Sequence, residues 1–297
     1  MTADSGAPAV STAAGSVPAS SSRSTRPALT AIITTFNEED NILKCLESVA
    51  FADEVLLIDS FSTDRTVEIA RAVPGVRIVQ REYFGSAAQK NWAMDQITTP
   101  WLLIVDADER IPERLAREIL SLLERGPEED HYYIRRENVF VDRLIRHSGW
   151  STDKVVRLMR RGTARYPNRR VHADLDAPGP TPTLLAPMVH YTCRSLGQYL
   201  DKLHRYATWG AADAFRHGRR AGVTELLFRP CWRFLRMYVI QGGFLDGRHG
   251  LVLCGLQAWS VFLKWSKVWE WHRFRKNGWP VDLPAYDEAP ETWEGRG

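Results

Sequence analysis

LTAIITTFNEEDNILKCLESVAFADEVLLIDSFSTDRT (29–66) decides the fold. Its opening, LTAIITTF (29–36), is a short β-rich apolar run, and EVLLIDS (54–60) is a second. Between them Ile42, Leu43, Leu46 and Val49 recur at helical spacing and are expected to share a face. STDRTVEIARAV (62–73) opens with a Ser/Thr/Asp capping signal and reads as a helix. VRIVQ (76–80), GSAAQKNWAMDQI (85–97) and WLLIVDAD (101–108) continue the series as strand, helix and strand. Strand–helix alternation with short connections predicts an α/β domain on a mostly parallel sheet. The strands are continuous apolar runs, so helices are expected on both faces.

Polar residues gather where these strands end: Thr35 and Asn37, Asp59 and Ser60, Asp106 and Asp108. In open α/β sheets that edge binds ligands. Asp106 and Asp108 are separated only by Ala107, and in extended backbone positions i and i+2 point the same way. Two such carboxylates are hard oxygen ligands for Mg²⁺ or Mn²⁺, which in turn bridges the phosphates of a nucleotide. An acidic pair also caps helices, and Pro112 and Glu113 follow closely. On the pair alone, both readings stand.

Four motifs in order carry a resemblance. TTFNEE (34–39), LLIDSFSTDRT (56–66), QKN (89–91) and VDADER (105–110) resemble the family 2 glycosyltransferases, enzymes with a GT-A (Rossmann-like) fold. The resemblance implies that Thr35, Asn37, Glu38 and Asp59 hold the base and ribose of a nucleotide-diphosphate sugar. It implies a metal, Mn²⁺ or Mg²⁺, on Asp106 and Asp108, with Asp106 also touching the donor and Lys90 approaching the diphosphate. Structural alternatives exist for several of these: helix capping for Asn37 and Glu38, a solvated helix charge for Lys90. Asp64 reads as compensation of a helix dipole.

An inverting transferase needs a base for the acceptor hydroxyl. GWSTDKVVRLMRR (149–161) resembles the family's acceptor-side stretch, which implies Asp153 as that base, with Arg157 as its partner or a phosphate contact. A turn or strand-start role for Asp153 is the alternative. ARYPNRRVHADLD (164–176) resembles a branch that adds sugars to the lipopolysaccharide core, whose members carry His-Glu where this chain has His172-Ala173. Asp174 or Asp176 would have to replace that acid, and His172 is a candidate phosphate or acceptor contact. YLDKLHRYATWGA (199–211) through GGFLDG (242–247) extends the likeness to about residue 275. The implied reaction moves a hexose to a glycolipid or polysaccharide acceptor. A sugar nucleotidyltransferase is the rival, although TTFNEEDN lacks the glycines of a phosphate loop. A decayed, membrane-associated scaffold is the non-enzymatic one.

Beyond the motifs, residues 1–28 are rich in Ser, Ala, Thr and Pro and read as a disordered tail without a signal-peptide apolar core. Residues 29–194 are assigned to the transferase domain, 195–280 to a helical region and 281–297 to a flexible tail. Helices are expected at 195–217, 223–240 and 250–275. Phe228, Trp232, Leu235 and Val239 form one stripe, and Arg229, Arg233 and Arg236 another, the pattern of a helix lying in a membrane interface. LVLCGLQAWSVFLKW (251–265) is apolar for only 15 residues, short of the roughly 20 that a span requires. The expected location is therefore cytoplasmic, peripheral to the inner face of the cytoplasmic membrane. A net charge of +3 implies no nucleic-acid partner. Cys45, Cys193, Cys231 and Cys254 have neither zinc nor disulfide spacing and are expected as reduced core thiols.

Overall fold

The computed structural model describes residues 26–167, 175 and 177–284. Strands β1 (Leu29–Thr35), β2 (Glu54–Asp59), β3 (Val76–Gln80) and β4 (Trp101–Asp106) alternate with helices α1 (Ile42–Ser48), α2 (Thr66–Arg71) and α3 (Ser86–Asp95). Their parallel pairing runs in the order β3-β2-β1-β4. Alternation along each strand sorts side chains between two faces. Ala31, Ile33, Leu57, Leu103 and Val105 join one buried cluster with Ile42 and Leu46 of α1. Ile32, Leu56, Ile58, Leu102 and Ile104 join another with Ala87, Ala93 and Met94 of α3. At roughly 1.5–3 kcal/mol for each fully buried aliphatic chain, these two layers dominate the stability of the sheet. Leu43, expected on the buried face of α1, is exposed, and Cys45 takes its place in the core. The buried face runs through Ile42, Cys45, Leu46 and Val49 at i, i+3, i+4 and i+7, a spacing that leaves Leu43 off it.

The sheet then changes character. β5 (Glu109–Arg110), α4 (Glu113–Arg125), β6 (His131–Phe140), β7 (Arg143–Leu144), β8 (Lys154–Arg160) and β9 (Met188–Cys193) follow in sequence. β8 pairs antiparallel with both β4 and β6, while β9 lies parallel to β6 and antiparallel to β5. The sheet curls through this mixed half and returns to β5, so β9 lies beside the chain that follows β4. The stretch at 164–176 falls largely on residues outside those described.

The C-terminal helices are α5 (Leu196–Arg216), α6 (Arg229–Leu235) and α7 (Gly247–Lys276). Widened turns at Thr224–Phe228 and Arg236–Ile240 extend α6 into one rod. α7 is about 45 Å long at 1.5 Å per residue. No helix among the described residues is long and apolar enough to cross a membrane. Cys45, Cys193 and Cys254 are buried, but Cys231 is exposed on α6, which corrects the expectation of four core thiols. Where the tails meet the described structure they are anchored. Arg26 pairs with Asp53 at 2.7 Å, and Arg216 donates to the Pro284 carbonyl at 2.9 Å.

One close approach ties the helical region to itself. A Cβ on Gly250 would lie 1.9 Å from the Gly243 carbonyl oxygen, so only glycine lets α7 start there. Just before it, the buried Asp246 carboxylate accepts from Arg146 N (3.1 Å), His147 N (3.0 Å) and Ser148 Oγ (3.2 Å). This acid fastens the helical region to the loop leading into β8.

Candidate active site

Asp106 ends β4 and Asp108 sits one residue short of Glu109 in β5, so the DAD turn bridges the parallel and mixed halves of the sheet. Asp106 Oδ1 meets Lys90 Nζ at 2.8 Å and accepts from Thr34 Oγ1 at 3.2 Å. Its Oδ2 accepts from Arg157 Nη2 at 2.5 Å. Burial works against the Asp106 charge, yet Arg157 and Lys90 outweigh it and hold the carboxyl well below the usual range. Burial likewise opposes the Arg157 charge, and Asp106 and Glu109 together hold its guanidinium firmly protonated.

From Arg157 a chain of polar contacts runs on. Glu109, 0% exposed, accepts from Arg157 at 2.6 Å, lies 3.7 Å from Arg136 Nη1 and accepts from the Asp106 amide at 3.0 Å. Arg136 grips Asp153 through two bonds of 2.9 and 2.8 Å, and Asn138 Nδ2 adds a third at 3.0 Å. Asn138 Oδ1 lies 2.6 Å from His190 Nδ1, whose Nε2 reaches Asp108 Oδ2 at 3.3 Å. The circuit thus leaves the DAD turn at Asp106 and returns to it at Asp108, passing through Asp153. Strand register explains it: Glu109 opposes His190, and His190 opposes Asn138. Burial works against the charge of both Asp108 and Asp153, but His190 and Lys202 together hold the first below its ordinary pKa, and Arg136 with Asn138 and His190 holds the second below its own. All three aspartates are therefore held ionised.

The other expected residues sit on the same strand ends with different roles. Asn37, at φ 53°, accepts from Thr63 N at 2.8 Å and so joins the loop after β1 to the loop after β2. Glu38 is half-buried, its carbonyl accepts from Asn41 and Ile42 at the start of α1, and burial raises its pKa. Asp59 is fully buried, and its oxygens accept from Ser62 Oγ (2.5 Å), Ser62 N (3.0 Å) and Gln80 Nε2 (2.9 Å). It holds the loop after β2 in shape. Thr35 Oγ1 is buried without a hydrogen-bond partner among the described residues. Asp64 accepts from Thr66 N at 3.0 Å at the head of α2, where a negative charge opposes the helix dipole; the N-cap position itself is Arg65. Lys90 is 6% exposed and paired with Asp106, which corrects the solvated-charge alternative. Arg157 pairs with Asp106 and Glu109, and the Asp153 partner is Arg136 instead. His172, Asp174 and Asp176 lie outside the described residues.

Sequence reasoning missed Glu109, Arg136, Asn138 and His190. Glu109 had a local signal, an acid following DAD directly. The other three stand in β6 and β9, and only strand pairing brings them to the site. Phe36 and Phe61, each 54% exposed, follow the ends of β1 and β2. Phe61 holds φ 60°, a costly backbone for an aromatic residue.

Residues 30–177 match the family model described as glycosyl transferase family 2. The chain belongs to this family. As a family 2 glycosyltransferase it is similar to the lipopolysaccharide core biosynthesis glycosyltransferase LpsC of Rhizobium meliloti (strain 1021). The two are 27% identical over 253 residues, covering 83% of this chain and 94% of that one. An uncharacterized glycosyltransferase of Rickettsia typhi is 27% identical over 259 residues, 82% of this chain and 87% of its own. Among solved structures, the mannosyltransferase PcManGT of Pyrobaculum calidifontis, in complex with GDP-Man and Mn²⁺, superposes with TM-score 0.50 at 18% identity. That match covers 82% of this chain and 87% of the other. The fold is GT-A, with a helical C-terminal region attached.

Proposed function

We propose that this glycosyltransferase transfers a hexose, with inversion, from a nucleotide-diphosphate sugar to a glycolipid or polysaccharide acceptor of the lipopolysaccharide-core type. The circuit joining the DAD turn to Asp153 carries the reading, because it fixes a donor-side anion pair and an acceptor-side base in one framework. In the reaction, Asp153 takes the proton of the acceptor hydroxyl as that oxygen bonds to the anomeric carbon. The bond to the diphosphate breaks, and its electron pair leaves on the diphosphate oxygen. Arg136 and Asn138 aim the Asp153 carboxylate and keep it charged before the transfer. Thr35, Asn37, Glu38 and Asp59 shape the base and ribose site, with Asp59 acting through the loop it holds. Asp106 orders the donor end of the site together with Lys90. Arg157 fixes Asp106, and His172 remains a proposed acceptor or phosphate contact.

Among the described residues no three His, Cys, Asp or Glu side chains are gathered to hold a metal by themselves. That suits a divalent ion of the Mg²⁺ or Mn²⁺ type, which takes one or two carboxylates and completes its shell with phosphate oxygens and water. Asp108 offers an oxygen, Oδ1, that carries no hydrogen bond among the described residues, and Asp106 is the second candidate ligand. When bound, such an ion would neutralise charge on the departing diphosphate.

The domain at 29–194 is proposed to work at the cytoplasmic face of the inner membrane, held there by the region at 195–280. Phe228, Trp232, Leu235 and Val239 all face outward from the α6 rod, Trp232 at 57% exposure. Arg229 lies 5.0 Å over the Trp265 ring and Arg233 donates to Gln257 at 3.1 Å, which seats the rod on α7 with the apolar stripe outward. Basic groups beside that stripe complement anionic lipid.

The test incubates the full chain and Mn²⁺ with UDP- and GDP-hexoses and lipopolysaccharide-core acceptors, then identifies products by mass spectrometry and NMR. Nucleoside diphosphate and a glycoside of inverted anomeric configuration are expected. Retained configuration, or pyrophosphate released from a nucleoside triphosphate, would sink the proposal.

A further inference from the structure

The two oxygens of Asp106 are engaged by two different cations, and these are anchored differently. Arg157 is 3% exposed, and the same Nη2 that meets Asp106 also donates to the buried Glu109 at 2.6 Å. It cannot leave Asp106 without also abandoning that buried acid. Lys90 is bound to Asp106 at 2.8 Å and lies 5.6 Å from the Tyr166 ring, with no second carboxylate holding it among the described residues. A lysine carries a compact charge on a flexible four-carbon stem, so it can swing to a new anion while an arginine fork stays fixed. A divalent ion approaching Asp106 therefore meets two like charges within a few ångströms of the same carboxylate. At such separations repulsion is strong in a partly buried site.

Resting on the donor-site reading above, we propose that Lys90 is an exchangeable counterion of Asp106. It yields the carboxylate to the divalent ion only when a nucleotide diphosphate offers it phosphate oxygens instead. Arg157 stays in place and keeps Asp106 oriented during the exchange. Metal and nucleotide then bind cooperatively, each raising the affinity of the other by the same factor. Asp108, whose Oδ1 carries no hydrogen bond among the described residues, gives the ion its first foothold.

Electron paramagnetic resonance of Mn²⁺ reads this directly, since binding is measured without turnover. The full chain is titrated with Mn²⁺ alone and with Mn²⁺ plus UDP or GDP. Lys90→Met is expected to bind Mn²⁺ alone about tenfold more tightly than wild type. The same variant, titrated calorimetrically with UDP or GDP in the absence of metal, should lose affinity for the nucleotide. Lys90→Arg, which keeps the charge, should restore the wild-type weakness toward Mn²⁺ alone. In a second comparison, Asp106→Asn should leave the affinity for Mn²⁺ alone within about twofold of wild type, while cutting affinity in the presence of nucleotide about tenfold. This comparison decides the matter if Lys90→Met does not fold. An unchanged Mn²⁺ affinity in Lys90→Met, or loss of most wild-type binding of Mn²⁺ alone in Asp106→Asn, overturns the exchange and leaves the donor site standing. Absence of Mn²⁺ binding in every form, with either nucleotide, overturns both.

Discussion

Replacing Glu109 with Gln removes one negative charge from the centre of the polar circuit while keeping the side chain's size. The carboxylate is fully buried, and both of its oxygens already face donors. Oε1 receives Arg157 at 2.6 Å with Arg136 at 3.7 Å, and Oε2 receives the Asp106 amide at 3.0 Å. An amide NH₂ placed at either position therefore points a donor at a donor, so neither flip of the glutamine is satisfied. Breaking a buried ion pair by removing one partner costs about 3–5 kcal/mol. The remaining hydrogen bond to the surviving amide oxygen keeps the loss near the lower figure. A loss of about 3 kcal/mol corresponds to a fall of roughly 6–12 °C in Tm for a chain of this size. The comparison variant is Asp130→Asn, which breaks an ion pair of the same length, 2.6 Å to Arg160, between two exposed side chains. There solvent screening limits the loss to about 0–1 kcal/mol. Thermal melts followed by circular dichroism, with a parallel transfer assay, separate the two. If Glu109→Gln melts no lower than Asp130→Asn, the circuit is not a buried electrostatic framework and the reasoning fails.

Asp153→Asn is expected to abolish transfer while retaining thermal stabilisation by donor nucleotide; substantial turnover would remove Asp153 as the base. Phe228→Glu with Trp232→Glu should release the protein from anionic phosphatidylglycerol vesicles in a sedimentation assay, with Tm unchanged. Binding that survives both changes refutes the interfacial stripe. Gly250→Ala, whose new Cβ would stand 1.9 Å from the Gly243 carbonyl, should be insoluble or strongly destabilised, whereas Gly255→Ala on the same helix has open space and should gain up to about 1 kcal/mol. Equal melting temperatures for the two would contradict the packing. Asp106, Asp108 and Asp153 have folded-state pKa values below the unfolded one, so their stabilisation is complete above the ordinary aspartate value of about 3.9 and is lost as pH falls through the depressed values. Glu38, raised by burial, acts in the opposite sense and offsets part of this. Urea midpoints should fall on acidification below that value, and a rise there would be inconsistent with the three aspartates being held ionised.

The parallel half of the fold was legible because its signals are local. Each apolar run and each helical repeat lies within a few residues of itself, and the strand ends announce the ligand edge. Asp153 was reachable for the same reason, through the motif around it. Asn138 and His190 were not, because β6 and β9 are ordinary strands whose site-facing residues are chosen by pairing across the sheet. Asp59 shows the opposite failure. Its position at a strand end was read correctly, but whether a carboxylate faces a ligand or closes its own loop depends on Ser62 and Gln80, which sequence does not orient. The stripe of Phe228, Trp232, Leu235 and Val239 was visible as a repeat. That it points away from the protein depends on α7 occupying the other side of the rod.

His190 meets a carboxylate made 82 residues earlier. At a synthesis rate of about 5–20 residues per second, several seconds separate the emergence of Asp108 from that of its partner. Through that interval the parallel strands can pair, but the acids at their ends remain unsealed. The family match, which ends at residue 177, therefore does not coincide with the smallest piece that assembles the site. A fragment cut at that boundary would carry Asp106, Asp108 and Asp153 yet lack the strand that closes them into one framework. What is matched as a recognisable unit and what is closed as one polar framework differ here by the strand β9.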